Sequence, residues 1–414
     1  MLYASSLSGK KASVSKADCV ALFESARKHI DATIRSNRRE DGLYHAYNLL
    51  DWSDDGVKVD YLYEMCEGQV AVLSAQLLEP QEVVSLLDSL RDSALYRPNQ
   101  DSYLLYPDRQ LPRFLDKNCI GKDSVESSKL VQQLLSDGNE QIVKRDINGD
   151  VHFHGEFRNS SDVKNAFGAL SGDYTQLVES EGQSLISIFD DVFAHRQFTG
   201  RSGTFFGYEG LGSIYWHMVS KLALAVTENY FWALESGSPA GVVDSLGEHF
   251  QAIRRGIGAE KHPTEYGAFP TDPYSHTPEN AGVKQPGMTG QVKEDLLSRF
   301  TEVGVHIKDS TLCFRLDLFD LDELTDAPAE LIYCDVAGEF KTVAVPENGF
   351  AYTMFQVPIV YQPGDTDLIN VMLADGSELK IEGTSIDQAT SEKLFSRMGE
   401  VVQISCRFRQ LRDQ

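Results

Sequence analysis

One change in hydrophobic spacing, near Val305, constrains the fold of this 414-residue chain more than any other feature. Before that point, apolar residues recur every three or four positions, which is the spacing of one face of an α-helix. After it, short segments alternate or run apolar and are rich in β-branched residues, as strands are. The sequence therefore predicts a mainly α chain followed by β, with a flexible N-terminus over 1–15, a helical domain over 16–304 and a C-terminal antiparallel β-sandwich domain over 305–414.

About nine helices are predicted before residue 305. They are Lys16–Arg38, Asp60–Leu78, Pro80–Ser93, Lys129–Leu135, Ser161–Leu170, Tyr174–Ala194, Gly212–Glu235, Val242–Gly256 and Gly290–Gly304. Among them, Ile142–Phe157 is predicted to form a hairpin that turns at Asn148-Gly149. The strands predicted later are Cys313–Leu316, Glu330–Asp335, Thr342–Val345, Ala351–Tyr361, Leu368–Leu373, Glu378–Glu382 and Val401–Arg407, interrupted by a short helix at Ser391–Met398.

The charge of the chain argues against two classes of partner. The net charge is −24 at pH 7, whereas nucleic-acid binding needs clusters of Lys and Arg that neutralise phosphates. The same charge argues against an anionic membrane surface. No run of 18 apolar residues predicts a membrane span, and residues 1–16 lack the apolar core of a signal peptide. The six cysteines are scattered without a C-x-x-C pair, so a cytoplasmic protein with free thiols is predicted.

Two loops lead directly into predicted helices and are dense in Gly, Pro, Tyr and His. The first covers Gly200–His217 and the second Asp272–Gln291. Glycines allow backbone N–H groups to approach a ligand closely, and the positive end of a helix dipole favours a negatively charged one. Two such entries in one chain predict a shared pocket for an anionic or polyhydroxylated ligand.

The order of short motifs resembles the C-terminal catalytic part of inverting glycoside phosphorylases, namely glycoside hydrolase family ninety-four and its β-glucan and oligosaccharide phosphorylase relatives. Tyr274-Ser275-His276-Thr277-Pro278 followed by Thr289-Gly290 is similar to a Tyr-Ser segment and a Gly-rich loop of that family. Gly210–His217 is similar to a run whose His contacts phosphate. Leu50–Gly56 is similar to the segment that carries the general acid. The resemblance extends over roughly residues 40 to 410.

This resemblance implies a fold and a set of partners. The fold would be part of an (α/α)6 barrel, because a complete barrel has twelve helices and this chain offers about nine. The N-terminal β domain, linker and first barrel helices of the family have no counterpart here. The chain is therefore expected to act on oligosaccharide and phosphate, either as a homodimer or with an N-terminal partner polypeptide.

Inverting phosphorolysis needs one carboxylic acid and one phosphate. The acid protonates the glycosidic oxygen while phosphate attacks the anomeric carbon from the opposite face. The expected substrates are β-glucosides or gluco-oligosaccharides, the product is a sugar 1-phosphate, and inorganic phosphate is a co-substrate with no other cofactor. Asp51 and Asp54, beside Trp52, are the candidate acids and Asp41 is their rival. Each of these residues also fits an ordinary turn or helix flank.

Other residues are candidates for binding. Phosphate would be bound by His217, Thr289, Gly290 and Arg201, and the sugar by Tyr208, Glu209, Tyr215, Trp216, Tyr274 and His276. Ordinary roles compete with these: a helix N-cap for Thr289, a solvated loop position for Arg201 and core packing for Trp216. The histidines lack the spacing of metal ligands, so no metal site is predicted.

Two other functions remain open at this point. An inverting hydrolase on the same scaffold would use water instead of phosphate, with Glu209 or Glu67 as the second carboxylate. A non-catalytic carbohydrate-binding fragment or subunit would need the missing N-terminal half for activity. Dependence on phosphate distinguishes the phosphorylase from the hydrolase.

Overall fold

A computed structural model describes residues 9, 11–53, 56–108, 113–193, 212–258, 261–269, 273–287 and 289–411. The α-helices in these ranges are α1 Lys16–Ser36, α2 Cys66–Ser74, α3 Pro80–Asp92, α4 Phe114–Lys117, α5 Lys122–Ser127, α6 Lys129–Ser136, α7 Ser160–Ala169, α8 Thr175–Phe193, α9 Trp216–Glu235, α10 Ala240–Arg255, α11 Pro263–Tyr266, α12 Thr289–Glu302 and α13 Gln388–Ser396. The helices lie mainly before residue 305 and most of the long strands after it, so the predicted order of α followed by β is confirmed.

The strands form several separate sheets. Their bounds are β1 Asn48–Ser53, β2 Gly56–Tyr61, β3 Tyr96–Arg97, β4 Ser102–Tyr103, β5 Val143–Arg145, β6 Val151–Phe153, β7 Ser213–Tyr215, β8 Tyr274–Pro278, β9 Lys284–Pro286, β10 Val305–Lys308, β11 Thr311–Phe314, β12 Ala329–Cys334, β13 Phe340–Val345, β14 Phe350–Met354, β15 Val357–Pro363, β16 Leu368–Leu373, β17 Glu378–Glu382 and β18 Val401–Phe408. The predicted domain boundary at residue 305 falls between α12 and β10, and division into domains there stays a prediction.

The chain divides into two compact units, one of which is inserted into the other. The first unit contains Met1–Tyr106 and Ser213–Gln414, and the second contains Pro107–Gly212. Within the first unit, the backbone N–H of Leu105 donates to the carbonyl of Ser213 at 2.9 Å, and Leu104 forms a β-bridge with Ile214. The chain therefore leaves and re-enters the first unit at neighbouring residues.

Helix α9 is the centre of the helical part of the first unit. Its sequence is apolar on nearly every side, which is typical of a fully buried helix. Helices α2, α3, α10 and α12 pack around it. The buried Asn229 amide donates to the carbonyl of Leu73, at the end of α2, at 2.9 Å. Within the described ranges, the helices show no barrel closure, and the (α/α)6 expectation is not confirmed.

The segment before α2 differs from the prediction. Strands β1 and β2 pair as an antiparallel hairpin with Asp51 opposite Lys58, so a helix beginning at Asp60 is wrong for its first turn and a half. The described residues of β2 are largely exposed. Both faces of β2 are exposed, so its residues do not alternate between a buried and an exposed face as those of a typical strand do.

Helix α9 directly follows β7, a strand of a three-stranded sheet. Strand β7 pairs antiparallel with β8, which places Tyr215 opposite His276 and Ile214 opposite Thr277. Strand β9 pairs with the other edge of β8. The helix predicted from Gly212 therefore begins at Trp216, because Ser213–Tyr215 forms a strand that pairs with β8.

The last hundred residues contain one five-stranded sheet with the order β14-β15-β18-β16-β17. Strands β15 and β18 are parallel, whereas the other pairs are antiparallel. The expectation of an all-antiparallel sandwich is thus wrong for one central pair. The hairpins β10–β11 and β12–β13 are separate sheets. The buried Tyr361 hydroxyl donates to the carbonyl of Val303 at 2.8 Å, which ties the sheet to the end of α12.

The inserted unit has its own hydrophobic core. Strands β5 and β6 form the predicted hairpin, and Gly149 has a φ of +92°, which suits glycine at its turn. Phe153 packs edge-on against Phe189 with ring centroids 5.0 Å apart, and both side chains are almost fully buried. None of the helices in the described ranges is long and apolar enough to cross a membrane.

Candidate functional site

Three of the predicted binding residues lie together where α9 begins. The rings of Tyr215 and His276 stack with centroids 4.7 Å apart and planes 9° apart, because strand register puts them opposite each other on β7 and β8. The Tyr215 hydroxyl lies 3.3 Å from Nδ1 of His217. These three residues, contributed by segments sixty positions apart, are called the tyrosine–histidine cluster below.

Glu294, on α12, completes this cluster and was missed by the sequence reasoning. Its Oε1 lies 3.6 Å from Nε2 of His217 and 2.9 Å from the Lys293 ammonium, and only 5% of its side chain is exposed. The signal in the sequence was a polar stripe on one face of α12, formed by Gln291, Glu294, Ser298 and Glu302. Such a stripe usually faces solvent, whereas here it faces inward.

Burial determines the protonation state of the two histidines. It lowers the pKa of His276 to about 4. It is also the largest cause of the lowered pKa of His217, which Lys221 and Lys293 lower further and Glu294 opposes. Both rings are therefore neutral at pH 7, with one nitrogen donating and the other accepting. His276 Nδ1 is hydrogen bonded with the hydroxyl of Ser275.

Two carboxyl groups along α9 and α12 have the raised pKa that a general acid needs, and neither was predicted. Partial desolvation and nearby Glu294 raise the pKa of Glu228, but its side chain is exposed to solvent, which weakens both effects. Burial also raises the pKa of Asp295, against hydrogen bonds and a nearby arginine that lower it. Glu228 is eleven residues beyond His217, which is about 16 Å along a helix, so it is too distant to share one glycosidic bond with that histidine.

Asp41 does not have the environment of a general acid. Its carboxylate accepts two N–H bonds from the Arg39 guanidinium, at 3.1 and 2.7 Å, and another from the backbone of Leu43 at 3.1 Å. The hydrogen bonds from Arg39 are the largest cause that lowers the pKa of Asp41. Asp41 is therefore ionised at neutral pH in this arrangement, and its assignment as the acid stays a prediction.

Trp216 is a core residue and does not present a ring face to a sugar. It is fully buried, and its indole N–H donates to the hydroxyl of Thr277 at 2.7 Å. The ring packs against Tyr266, with centroids 5.1 Å apart, and beneath the ammonium of Lys261. Tyr274 is only partly buried and shares a face of β8 with His276, two residues later.

The remaining predicted residues lie wholly or partly outside the described part of the chain. Asp54, Arg201, Tyr208 and Glu209 are outside it. The backbones of Asp51, Thr289 and Gly290 belong to β1 and the first turn of α12, but the side chains of Asp51 and Thr289 are outside the described part as well. Trp52, expected to be an apolar wall for the acid, is 73% exposed.

Comparison with protein families finds a match within the inserted unit. Residues 111–196 match the family described as GH149 phosphorylase insertion domain 2. This match supports a relationship to glycoside phosphorylases. The matched family is GH149, so the match does not specifically support a relationship to family ninety-four. The matched residues fall inside Pro107–Gly212, so the match describes an insertion domain and not the tyrosine–histidine cluster. A search of the curated proteins found no match to the chain.

Proposed function

We propose that the chain is part of a glycoside phosphorylase and that the tyrosine–histidine cluster binds phosphate beside a sugar ring. The observation that carries the proposal is the contact between His217 and Glu294, which joins the first turn of α9 to the early part of α12. The contact brings the first turn of α9 beside the second turn of α12, and the N–H groups and dipole at the start of α9 favour an anion.

The side chains at this position suit the reversible binding of phosphate. Neutral His217 supplies one N–H, while Lys293 and Lys221 supply positive potential nearby. The Glu294 carboxylate, with Oε1 3.6 Å from Nε2 of His217, raises the pKa of the ring against burial and the two lysines. Thr289 and Gly290 open α12 and are proposed as further phosphate ligands, together with Arg201.

The proposed reaction is inverting phosphorolysis of a β-glucoside or gluco-oligosaccharide. A phosphate oxygen forms a bond to the anomeric carbon, the glycosidic C–O bond breaks, and a carboxylic acid protonates the departing oxygen. The products are a sugar 1-phosphate and a sugar shortened by one unit. Asp51 and Asp54 remain the proposed acids, with Asp41 as their rival.

The sugar is proposed to bind on the aromatic side of the cluster. Tyr274, Tyr215 and His276 lie on β7 and β8, and aromatic faces pack well against the C–H face of a pyranose. Tyr208 and Glu209 remain proposed sugar ligands. The motif order and the match to a phosphorylase insertion domain support this substrate class.

The first experiment measures inorganic phosphate released from α-glucose 1-phosphate in the presence of β-linked gluco-oligosaccharide acceptors. Acceptor-dependent release is expected. His217→Asn should raise the KM for phosphate at least tenfold in the phosphorolytic direction while the KM for sugar stays within twofold. His249→Asn is the matched control, because His249 pairs with Asp88 on other helices.

Three outcomes would contradict parts of this proposal. Sugar release that does not depend on phosphate would favour the hydrolase. No turnover, together with oligosaccharide binding, would favour the non-catalytic fragment, and adding the N-terminal polypeptide would then test whether this chain is half of an enzyme. An unchanged phosphate KM in His217→Asn would remove the histidine from the phosphate site.

A further inference from the structure

Lys261, on the segment before α11, has an ammonium group that is buried away from water. The residue is 8% exposed, whereas lysines are almost never buried this far unless they are paired with a carboxylate. In the part of the chain that the structure describes, Asp101 and Glu265 act on Lys261 through their charges and not through a hydrogen bond. Other groups must therefore compensate for the loss of water around this positive charge.

Two groups contact the ammonium in place of a carboxylate. Its N–H donates to the backbone carbonyl of Gln100, and Nζ lies 5.2 Å from the centre of the Trp216 ring. An aromatic face attracts a cation, and the attraction is strongest where water is excluded. Because Trp216 is fully buried, this contact depends on the charge of Lys261 and not on its size alone.

Both of these groups are held in place by further contacts within the first unit. The buried side-chain oxygen of Gln100 accepts from the Arg97 guanidinium at 2.8 Å. The Trp216 ring packs against Tyr266, with centroids 5.1 Å apart. Lys261 therefore links two fixed groups, and its charge restrains the ring relative to the backbone at Gln100.

The Trp216 indole is bonded to the strand that carries His276. Its N–H donates to the hydroxyl of Thr277 at 2.7 Å, and Thr277 follows His276 on β8. Because neighbouring side chains of a strand point to opposite faces, this bond holds β8 from the face opposite His276. Trp216 also stands between Tyr215 and His217 in the chain, so its orientation affects all three residues of the tyrosine–histidine cluster.

We propose that Lys261 is a positioning residue for this cluster. Its ammonium holds the Trp216 ring in the orientation that bonds Thr277. This bond in turn keeps Tyr215 stacked on His276. Loss of the charge should loosen the stack and displace the first turn of α9, where phosphate is proposed to bind. The effect on phosphate rests on the proposed function, whereas the effect on the stack does not.

The charge of Lys261 should change in the mildly alkaline range. The charged groups that face it are Asp101, which follows Gln100, and Glu265 on α11. Burial lowers the pKa of Lys261 to about 8, although these two carboxylates raise it. The ammonium therefore predominates at pH 7 and the neutral amine at pH 9, and the neutral amine lacks the attraction to the ring. The pKa of His276 is about 4, so its own titration cannot produce a transition near pH 8.

NMR titration of the His276 ring protons tests the positioning directly. Stacking on Tyr215 shifts these resonances, so in the wild-type chain they should move with a midpoint near pH 8. In Lys261→Met, which keeps nearly the length of the side chain without its charge, they should stay constant between pH 7 and 9. Lys308→Met is the matched control, because that lysine is exposed on β10, and it should titrate like the wild type. The spectrum of His276→Asn supplies the assignment.

Tryptophan emission gives a second reading of the same contact. With Trp52 and Trp232 replaced by Phe, Trp216 is the one tryptophan left of three in the sequence. A positive charge beside an indole changes the energy of its excited state, so the emission maximum should shift with the same midpoint as the NMR signal. The shift should be absent in Lys261→Met, whose circular dichroism should match the wild type. A wild-type chain without either transition, or a transition that persists in Lys261→Met, would overturn the proposal.

The KM for phosphate tests the functional consequence. At pH 7, Lys261→Met should raise this KM about tenfold, which is the size of a desolvated cation–π contact, with little change in kcat. The ratio of the two KM values should fall toward one at pH 9, where the wild-type lysine is also neutral; the ionisation of phosphate affects both chains equally. Lys261→Arg keeps its charge at pH 9 and should then bind phosphate more tightly than the wild type. A KM ratio that is the same at both pH values would mean a purely structural role and would overturn the proposal.

Failure of this proposal differs from failure of the proposed function. An NMR transition that is lost in Lys261→Met, in a chain that uses no phosphate, would support the positioning role and count against the phosphorylase. Phosphate-dependent turnover with His276 resonances that do not respond near pH 8 would count against Lys261 and leave the phosphorylase standing.

Discussion

At the scale of the residue, the buried imidazoles His217 and His276 dominate the candidate site. Burial disfavours the charged imidazolium and is the main cause of the lowered pKa of both. Only His217 has charged neighbours that oppose one another, since Glu294 raises its pKa while Lys221 and Lys293 lower it. The two histidines should therefore respond differently to substitution.

His276 should make the stability of the chain depend on pH. Its pKa is about 4 in the folded chain, against 6.5 for a freely solvated histidine, so the unfolded chain binds a proton first as the pH falls. Stability is then fully present above pH 6.5 and decreases toward pH 4, by about 3 kcal/mol in total. The wild-type free energy of unfolding, measured by urea denaturation at pH 7 and 4.5, should drop by about 2 kcal/mol more than that of His276→Asn. Parallel pH profiles would contradict the burial of a neutral ring.

Glu294→Gln should lower the pKa of His217 further. The carboxylate is the group that stabilises the imidazolium against burial and two lysines, and a neutral amide cannot replace that charge. Lys293→Met provides a control of opposite sign and should raise the pKa of His217. Both shifts can be followed by NMR titration of the histidine ring protons, with His217 assigned from the spectrum of His217→Asn. Shifts of the same sign in both variants would mean that Glu294 acts through structure and not through charge.

At the scale of the element, the sequence predicted best where burial imposes a period. Both ends of helices α3 and α10 were predicted to within two residues, because one face of each helix is buried. Strand β2 was missed because both of its faces are exposed. The pairing of β7 with β8 joins residues sixty positions apart, and the parallel pairing of β15 with β18 also joins segments remote in sequence. Periodicity carries no information about such contacts.

The residues of the candidate site were also predicted only in part from the sequence. Tyr215, His217 and His276 were named from motifs, and the structure brings them together. Glu294 was missed because α12 is inverted, with its polar face inward. The ion pair between Asp41 and Arg39 was not predicted, because it depends on the geometry of a turn that spacing alone does not specify.

The inverted packing of α12 leaves a buried hydroxyl that should be dispensable. Ser298 is 3% exposed, and no described residue lies within hydrogen-bonding distance of its Oγ. Ser298→Ala removes this desolvated group and improves helix propensity, so it should stabilise the chain by about 1 kcal/mol in urea denaturation. Ser245→Ala is the comparison, because that exposed hydroxyl already donates to the carbonyl of Gly241 at 2.9 Å and should change stability little. Destabilisation by Ser298→Ala would point to a water-mediated network in this interface.

At the scale of the whole molecule, the inserted unit should be separable from the rest. The chain leaves the first unit at Tyr106 and returns at Ser213, next to the hydrogen bond from Leu105 to Ser213. A short loop closes such a gap at little entropic cost. The inserted unit contains a core of its own, including Phe153 and Phe189.

Replacing residues 107–212 with a short Gly-Ser linker should therefore leave the first unit folded, and the excised segment should fold by itself. Circular dichroism and cooperative urea unfolding of each piece provide the measurement. The activity of the deleted chain then separates two roles for the insertion, because Arg201, Tyr208 and Glu209 all lie within the removed segment. Phosphorolysis that persists at a similar kcat would mean that these three residues are not needed for the chemistry. A folded but inactive first unit would mean that the insertion contributes groups to the site, and an unfolded first unit would contradict the independence of the two units.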